Sequence, residues 1–132
     1  MYKPYVVKSL NEPVTNTVVK QNEPTKVRTV ISEETSKKVR EALESVVTNG
    51  TGRPAYIEGY RVGGKTGTAQ KVQNGRYMVG NYIVSFIGFL PADDPEIIVY
   101  VAVDNAKGVT QYGGTIAAPI AKNVLTLSLI HI

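Results

Sequence analysis

Gly59-Tyr60-Arg61-Val62-Gly63-Gly64-Lys65-Thr66-Gly67-Thr68-Ala69 can be read in two incompatible ways, and the choice decides the fold. Through Thr66 it matches the pattern G-x-x-x-x-G-K-T of a phosphate-binding loop, and Ile97–Asp104 resembles the apolar strand ending in Asp that accompanies one. Such a loop follows a strand and opens directly into a helix whose N-terminus holds the phosphates. Here Gly67 comes two residues after Lys65, Asn74-Gly75 follows soon after, and no helical stripe lies between. Only Ala55–Glu58 separate Pro54 from Gly59, too little for a buried strand. The nucleotide-binding reading is therefore set aside. The other reading is an edge strand, in which Gly63, Gly64 and Gly67 leave room for an extended ligand to pair along the backbone. Lys65 offers an ammonium, and Thr66 and Thr68 offer hydroxyls, all suited to one anionic group. The Thr68 N–H can face a developing oxyanion. Spacing alone equally allows a plain glycine-rich strand with a solvated lysine.

The flanking residues favour the strand. Tyr60–Val72 has a period of two, and Gln73-Asn74-Gly75-Arg76 supplies an Asn-Gly hairpin turn. Tyr82–Leu90 and Ile97–Val103 read as two further strands joined by Pro91-Ala92-Asp93-Asp94-Pro95, and connections this short make the neighbours antiparallel. Ile97-Ile98-Val99-Tyr100-Val101 lacks alternation, which predicts a strand covered on both faces. Upstream, Ser32 can cap a helix whose first turn holds Glu33 and Glu34. Val39, Ala42, Leu43, Val46 and Val47 then form one apolar stripe, so a helix is expected over 33–48. Asn49-Gly50-Thr51-Gly52 ends it, with Gly50 the expected left-handed stop. Thr115–Thr126 has an apolar helical pattern with Pro119 near its first turn, and residues 1–30 read as short strands and loops broken by Pro4, Pro13 and Pro24. The expected fold class is α+β: an antiparallel sheet of three strands flanked by two helices.

Composition narrows the chemistry. The 132 residues include 15 Lys+Arg and 11 Asp+Glu, a net charge of +4, with one His and no Cys. The absence of Cys excludes a disulfide framework, a thiolate nucleophile and Cys-type metal sites. With no Lys/Arg run longer than two, a nucleic-acid partner is not expected. The longest apolar run, Ile97–Val103, is far short of a membrane span, and no targeting signal opens the chain. Asn49-Gly50-Thr51 fits a glycosylation sequon but serves as the helix stop, and Asp93-Asp94 with Glu96 reads as a solvated turn rather than a metal site. The single histidine, His131, falls in Leu127–Ile132, a hexapeptide that resembles a translated sequencing adapter and is expected to be a non-native tail.

Lys65-Thr66-Gly67-Thr68 resembles the third motif of the penicillin-binding, serine-active transpeptidases. Gly64 before it and Ala69-Gln70 after it fit as well, as do Gly50-Thr51-Gly52 and Phe86-Ile87-Gly88-Phe89-Leu90-Pro91. Val101-Ala102-Val103-Asp104 and Tyr112-Gly113-Gly114-Thr115, leading to Ala117-Ala118-Pro119-Ile120, complete the likeness in the same order. The resemblance is to class B enzymes of the division and sporulation type, and implies part of a penicillin-binding, serine β-lactamase-like fold over residues 1–126. By it, Lys65 and Thr68 are catalytic, and Lys65, Thr66, Gly67 and Thr68 bind the terminal carboxylate of an acyl-D-Ala-D-Ala stem peptide of peptidoglycan or of a β-lactam. It implies no metal and no cofactor, a membrane-anchored parent whose catalytic domain lies outside the cytoplasm, and division or sporulation partners.

The same resemblance requires a nucleophilic Ser three residues before a Lys. None of Ser9, Ser32, Ser36, Ser45, Ser85 and Ser128 has that spacing. Ser9-Leu10-Asn11 matches the second family motif literally, yet it lies beside Lys3-Pro4-Tyr5-Val6-Val7-Lys8, which resembles the segment following that motif. Ser9 is therefore read as coincidence. The expectation is the C-terminal part of a transpeptidase domain, inactive by itself and frayed or associating through an unpaired edge. The alternative from another class is a non-catalytic module that binds wall peptides.

Overall fold

The structure is a computed structural model that describes residues 1–129. The chain divides into two compact units, Met1–Thr35 and the remainder from Ser36. In the first, β1 (Ser9–Asn11) pairs antiparallel with β2 (Val18–Gln21), and Tyr2 bridges Lys26. Glu12 organises the turn between the strands. Its carboxylate accepts hydrogen bonds from the Val14 N–H and from the N–H and hydroxyl of Thr15, and these hold its pKa below the usual range. The expected short strands thus make a hairpin. Ser9 lies exposed within it.

Helix α1 (Glu33–Thr48) begins as its sequence dictates: the Thr35 N–H donates to Ser32 Oγ at 3.1 Å. Its apolar stripe forms, but only its C-terminal part is covered. Val47 is fully buried, Leu43 and Val46 are half-buried, and Val39 is exposed. Gly50 does not adopt the left-handed conformation expected of it. Instead the Gly50 and Gly52 N–H groups both donate to the Val46 carbonyl, and a Cβ on Gly50 would crowd that carbonyl. Close approach, rather than positive φ, is what requires glycine there.

A short 3-10 turn over Arg53–Ala55 leads into the three-stranded antiparallel sheet, in the order β3 (Gly63–Gln73), β4 (Arg76–Leu90), β5 (Ile97–Asp104). Lys65-Thr66 lies inside a strand and no helix follows it, which disposes of the phosphate-loop reading. The Asn74-Gly75 turn has φ 51° and 73°, as a tight hairpin demands, so pairing resumes at Arg76 and β4 starts earlier than its apolar pattern suggested. The strand expected from Tyr60 starts only at Gly63, because Gly59 with φ 80° turns the chain first. β5 corrects another expectation. Its residues alternate between half-buried and exposed, with Ile98 and Tyr100 on the exposed side, so one face only is covered.

Helix α2 (Gly113–Leu129) covers that face with Ala117, Ala118, Ala121 and Leu125, all fully buried against Phe86, Leu90 and the half-buried Val99 and Val101. The helix begins two residues before the expected start, which puts Pro119 in its second turn rather than its first. Leu127, Ser128 and Leu129 continue α2, while His131 and the rest of the expected tail lie outside the described residues.

Phe86 organises the core. On β3, Gly64 pairs with Gly88 of β4, and a Cβ on either glycine would overlap the Phe86 ring. The ring therefore fills space that two side chains would otherwise occupy. Phe86→Ala is expected to destabilise the fold by about 3–5 kcal/mol, the usual cost of deleting a buried aromatic, read as a fall in the urea midpoint.

Arg61 fastens the other side. It makes a bidentate contact with Glu44 of α1 (Nε to Oε1 2.9 Å, Nη2 to Oε2 2.7 Å) and reaches Asp93 Oδ2 at 3.0 Å. Arg40 donates to the carbonyls of Ala92 and Asp93, at 3.1 and 3.2 Å. α1, the approach to β3 and the β4–β5 turn are thereby tied together. The Arg61 hydrogen bonds hold the Glu44 carboxyl below its ordinary value of 4.5, and the same contacts raise the Arg61 guanidinium. A depressed acid stabilises the fold above its unfolded pKa and loses that effect as pH falls through the folded value. Thermal midpoints should accordingly fall below about pH 4.5, with a shallower acid limb in Glu44→Gln; identical limbs would contradict the role given to this pair.

Candidate active site

Strand β3 has one hydrogen-bonded neighbour, β4, and its other edge is unpaired among the described residues. Side chains alternate along it. Thr66 and Thr68 pair with Phe86 and Val84, both fully buried on the face that α2 covers. Lys65 and Gly67 pair with Ile87 and Ser85, and a Cβ on Gly67 would point at Ser85 Oγ, which places them on the opposite face. The structure thus brings the two hydroxyls together and sets Lys65 apart from them. Lys65 is exposed, and its Nζ folds back to donate to the Thr66 carbonyl at 2.9 Å.

Thr66 and Thr68 open onto a cleft of about 470 Å³ whose walls include Thr51, Tyr112, Gly113 and Thr115. Thr51 comes from the turn after α1, and its hydroxyl lies 3.1 Å from that of Thr66. Tyr112 precedes the first turn of α2. The Gly113 N–H donates to Thr68 Oγ1 at 3.4 Å, so the Thr68 hydroxyl hydrogen is free to point elsewhere. Among the described residues, none lining the cleft carries a carboxylate, and the positive end of the α2 dipole faces it. Hydroxyl donors without a negative charge form a surface suited to an anion.

The glycines here serve packing. A Cβ on Gly63 would overlap the Phe89 ring, one on Gly64 the Phe86 ring, and one on Gly67 would lie 2.5 Å from Ser85 Oγ. The room expected for an extended ligand beside these three residues is taken by β4 side chains, so a ligand has only the open backbone edge and the Thr66–Thr68 face. Gly113 is tighter still. A Cβ on it would overlap the Ser85 carbonyl oxygen and lie 2.5 Å from that of Gly67.

The family model described as the penicillin binding protein transpeptidase domain matches residues 1–126. The chain belongs to that family. It is 62% identical to stage V sporulation protein D of Bacillus subtilis (strain 168) over 129 residues, covering 98% of this chain and 20% of that protein. It is 44% identical over 111 residues to the probable peptidoglycan D,D-transpeptidase PenA of Neisseria flavescens, covering 83% of this chain and 28% of that one. Among solved structures, the D,D-transpeptidase domain of a peptidoglycan glycosyltransferase from Eggerthella lenta superposes with a TM-score of 0.76 at 34% identity, covering 97% of this chain and 27% of that one. Penicillin binding protein 3 of Mycobacterium tuberculosis complexed with ampicillin gives 0.77 at 29% identity, covering 95% and 29%. The transpeptidase resemblance and the partial α+β fold are both borne out. The chain spans 20–29% of the length of these relatives.

Thr51 and Thr115 were not singled out as site residues from sequence. Thr51 stands 15 positions from Thr66, in the segment that reads as the helix stop, and only the fold brings their hydroxyls together. α2 approaches the Thr51 backbone closely, since a Cβ on Gly114 would overlap its carbonyl oxygen. The expected result of Gly113→Ala is displacement of the α2 N-terminus from β3, with a loss of roughly 1–3 kcal/mol in urea unfolding. An unchanged midpoint would mean that this close approach is not needed.

Proposed function

We propose that this segment supplies the carboxylate-binding strand of a peptidoglycan D,D-transpeptidase. The pair of hydroxyls, Thr66 and Thr68, on one face of an open-edged strand carries the reading. They and the Lys65 ammonium would hold the terminal carboxylate of an acyl-D-Ala-D-Ala stem peptide or of a β-lactam. Lys65 would swing from the Thr66 carbonyl to do so, a motion that its four-carbon stem permits. The Thr68 N–H would be one of two donors to the oxyanion of the tetrahedral intermediate, the other being the backbone N–H of the nucleophile.

The reaction would proceed by attack of a serine hydroxyl on the penultimate D-Ala carbonyl, with release of terminal D-Ala and formation of a serine ester. An amine of a neighbouring stem peptide would then displace the serine and form the cross-link. The serine would come from a part of the parent protein beyond these 132 residues, since none here stands three before a lysine. The parent is proposed to be anchored in the cell membrane with this domain outside the cytoplasm, in the company of division or sporulation proteins. No described helix of this chain is long and apolar enough to cross a membrane.

Fluorescent penicillin tests both parts. This chain by itself is expected to form no stable covalent adduct; one that survives denaturation would refute the external serine. In the longer protein, Lys65→Ala and Thr68→Val should each slow acylation about ten- to a hundredfold, the value of a charge-assisted hydrogen bond, with the melting temperature retained. Unchanged acylation would overturn the carboxylate assignment.

A further inference from the structure

The loop that delivers α2 to the cleft is tied to the sheet by very little. β5 ends at Asp104, opposite Ile83, and the next backbone bond runs from the Asn105 N–H to the Tyr82 carbonyl at 2.8 Å. From there to Tyr112 the chain forms no strand or helix, and Lys107–Thr110 are exposed. Among the described residues, the hydrogen bonds that join residues 106–112 to β4 all involve the side chains of Lys107 and Gln111. Lys107 Nζ lies 3.4 Å from Asn81 Oδ1, a long contact on an exposed lysine. Gln111 makes two firmer ones: the Tyr82 N–H donates to its Oε1 at 3.1 Å, and its Nε2 donates to the Gly80 carbonyl at 2.9 Å.

This amide continues the ladder that β5 abandons. Its orientation is set by its partners, since a backbone N–H can only donate and a carbonyl can only accept. Gln111 is half-buried, next to Tyr112 and two residues from Gly113, whose N–H meets Thr68 Oγ1. We infer that Gln111 is a positioning residue for the carboxylate cleft. It would register the β5–α2 loop on Gly80 and Tyr82, so that Tyr112 walls the cleft and Gly113 reaches Thr68. The inference rests on the proposed carboxylate-binding reading. Gln111 itself touches neither Thr66 nor Thr68, and its effect would pass through the start of α2.

The test uses the longer transpeptidase that carries this segment, with benzylpenicillin and its methyl ester as acylating probes. The half-saturating concentration, the limiting acylation rate and the melting temperature are measured for each. Gln111→Met keeps the length of the side chain without its hydrogen bonds, and Gln111→Ala removes both. Both variants should raise the half-saturating concentration for the free acid about tenfold, leave that for the ester unchanged, and keep the limiting rate. Preference for the acid retained in Gln111→Met would overturn the inference. So would an equal weakening of acid and ester together with a lowered melting temperature, since that is what a purely structural role produces. If the unsubstituted protein does not distinguish acid from ester, the carboxylate reading itself fails, an outcome visible before any variant is made.

Discussion

The Phe86 ring, seated over Gly64 and Gly88, is the contact on which the rest of the structure depends. An antiparallel pair with glycines opposite one another lacks side-chain contact at that point and is weak unless something fills the gap. Here the ring of a residue in the same strand lies over both glycines and presents an apolar surface to α2. The alanine-rich face of the helix can then approach closely, because small side chains leave the ring as the main contact. Dense packing of this kind tolerates little change in volume. It explains why glycines and alanines occupy the positions they do, and it packs β3 against the core although, among the described residues, no strand lies on its outer edge.

The placement of β3 bears directly on the proposed carboxylate site. A strand that presents two hydroxyls to an anion must keep them on one face and at one spacing, and β pairing with β4 does so through eight consecutive register positions, Gly63–Gln70. α2 contributes a second constraint from the far side, backbone against backbone at Gly113, where no side chain would fit. The cleft is therefore built by three separate stretches of chain: the turn holding Thr51, strand β3 and the start of α2. Its electrostatic character follows from the same assembly. Hydroxyls and the positive end of the α2 dipole converge there.

Local patterns were legible where a residue's own chemistry decides its conformation. Asn74-Gly75 marked a hairpin because few other pairs accept two positive φ angles, and Ser32 marked a helix start because its hydroxyl can accept the orphan N–H of Thr35. Patterns failed where neighbours decide. Ile97–Val103 is apolar throughout, yet only one of its faces is covered. Gly50 looked like a left-handed stop, yet it serves a close approach to Val46. The glycines around Lys65 looked like room for a ligand, and aromatic rings from β4 fill two of the three places.

For the site, Lys65-Thr66-Gly67-Thr68 was recognisable in the sequence because a short strand segment carries its donors in consecutive residues. That order, together with the flanking segments, gave the motif its resemblance and the strand its place in the sheet. Which donors share a face, what walls the cleft and what holds its rim were decided only by tertiary structure. Alternation about β3 separates Lys65 from the threonines, and the fold brings Thr51 and Gly113 to them across 15 and 45 residues of chain. Contacts at such separations depend on the path of the whole backbone. No local pattern of residues encodes that path.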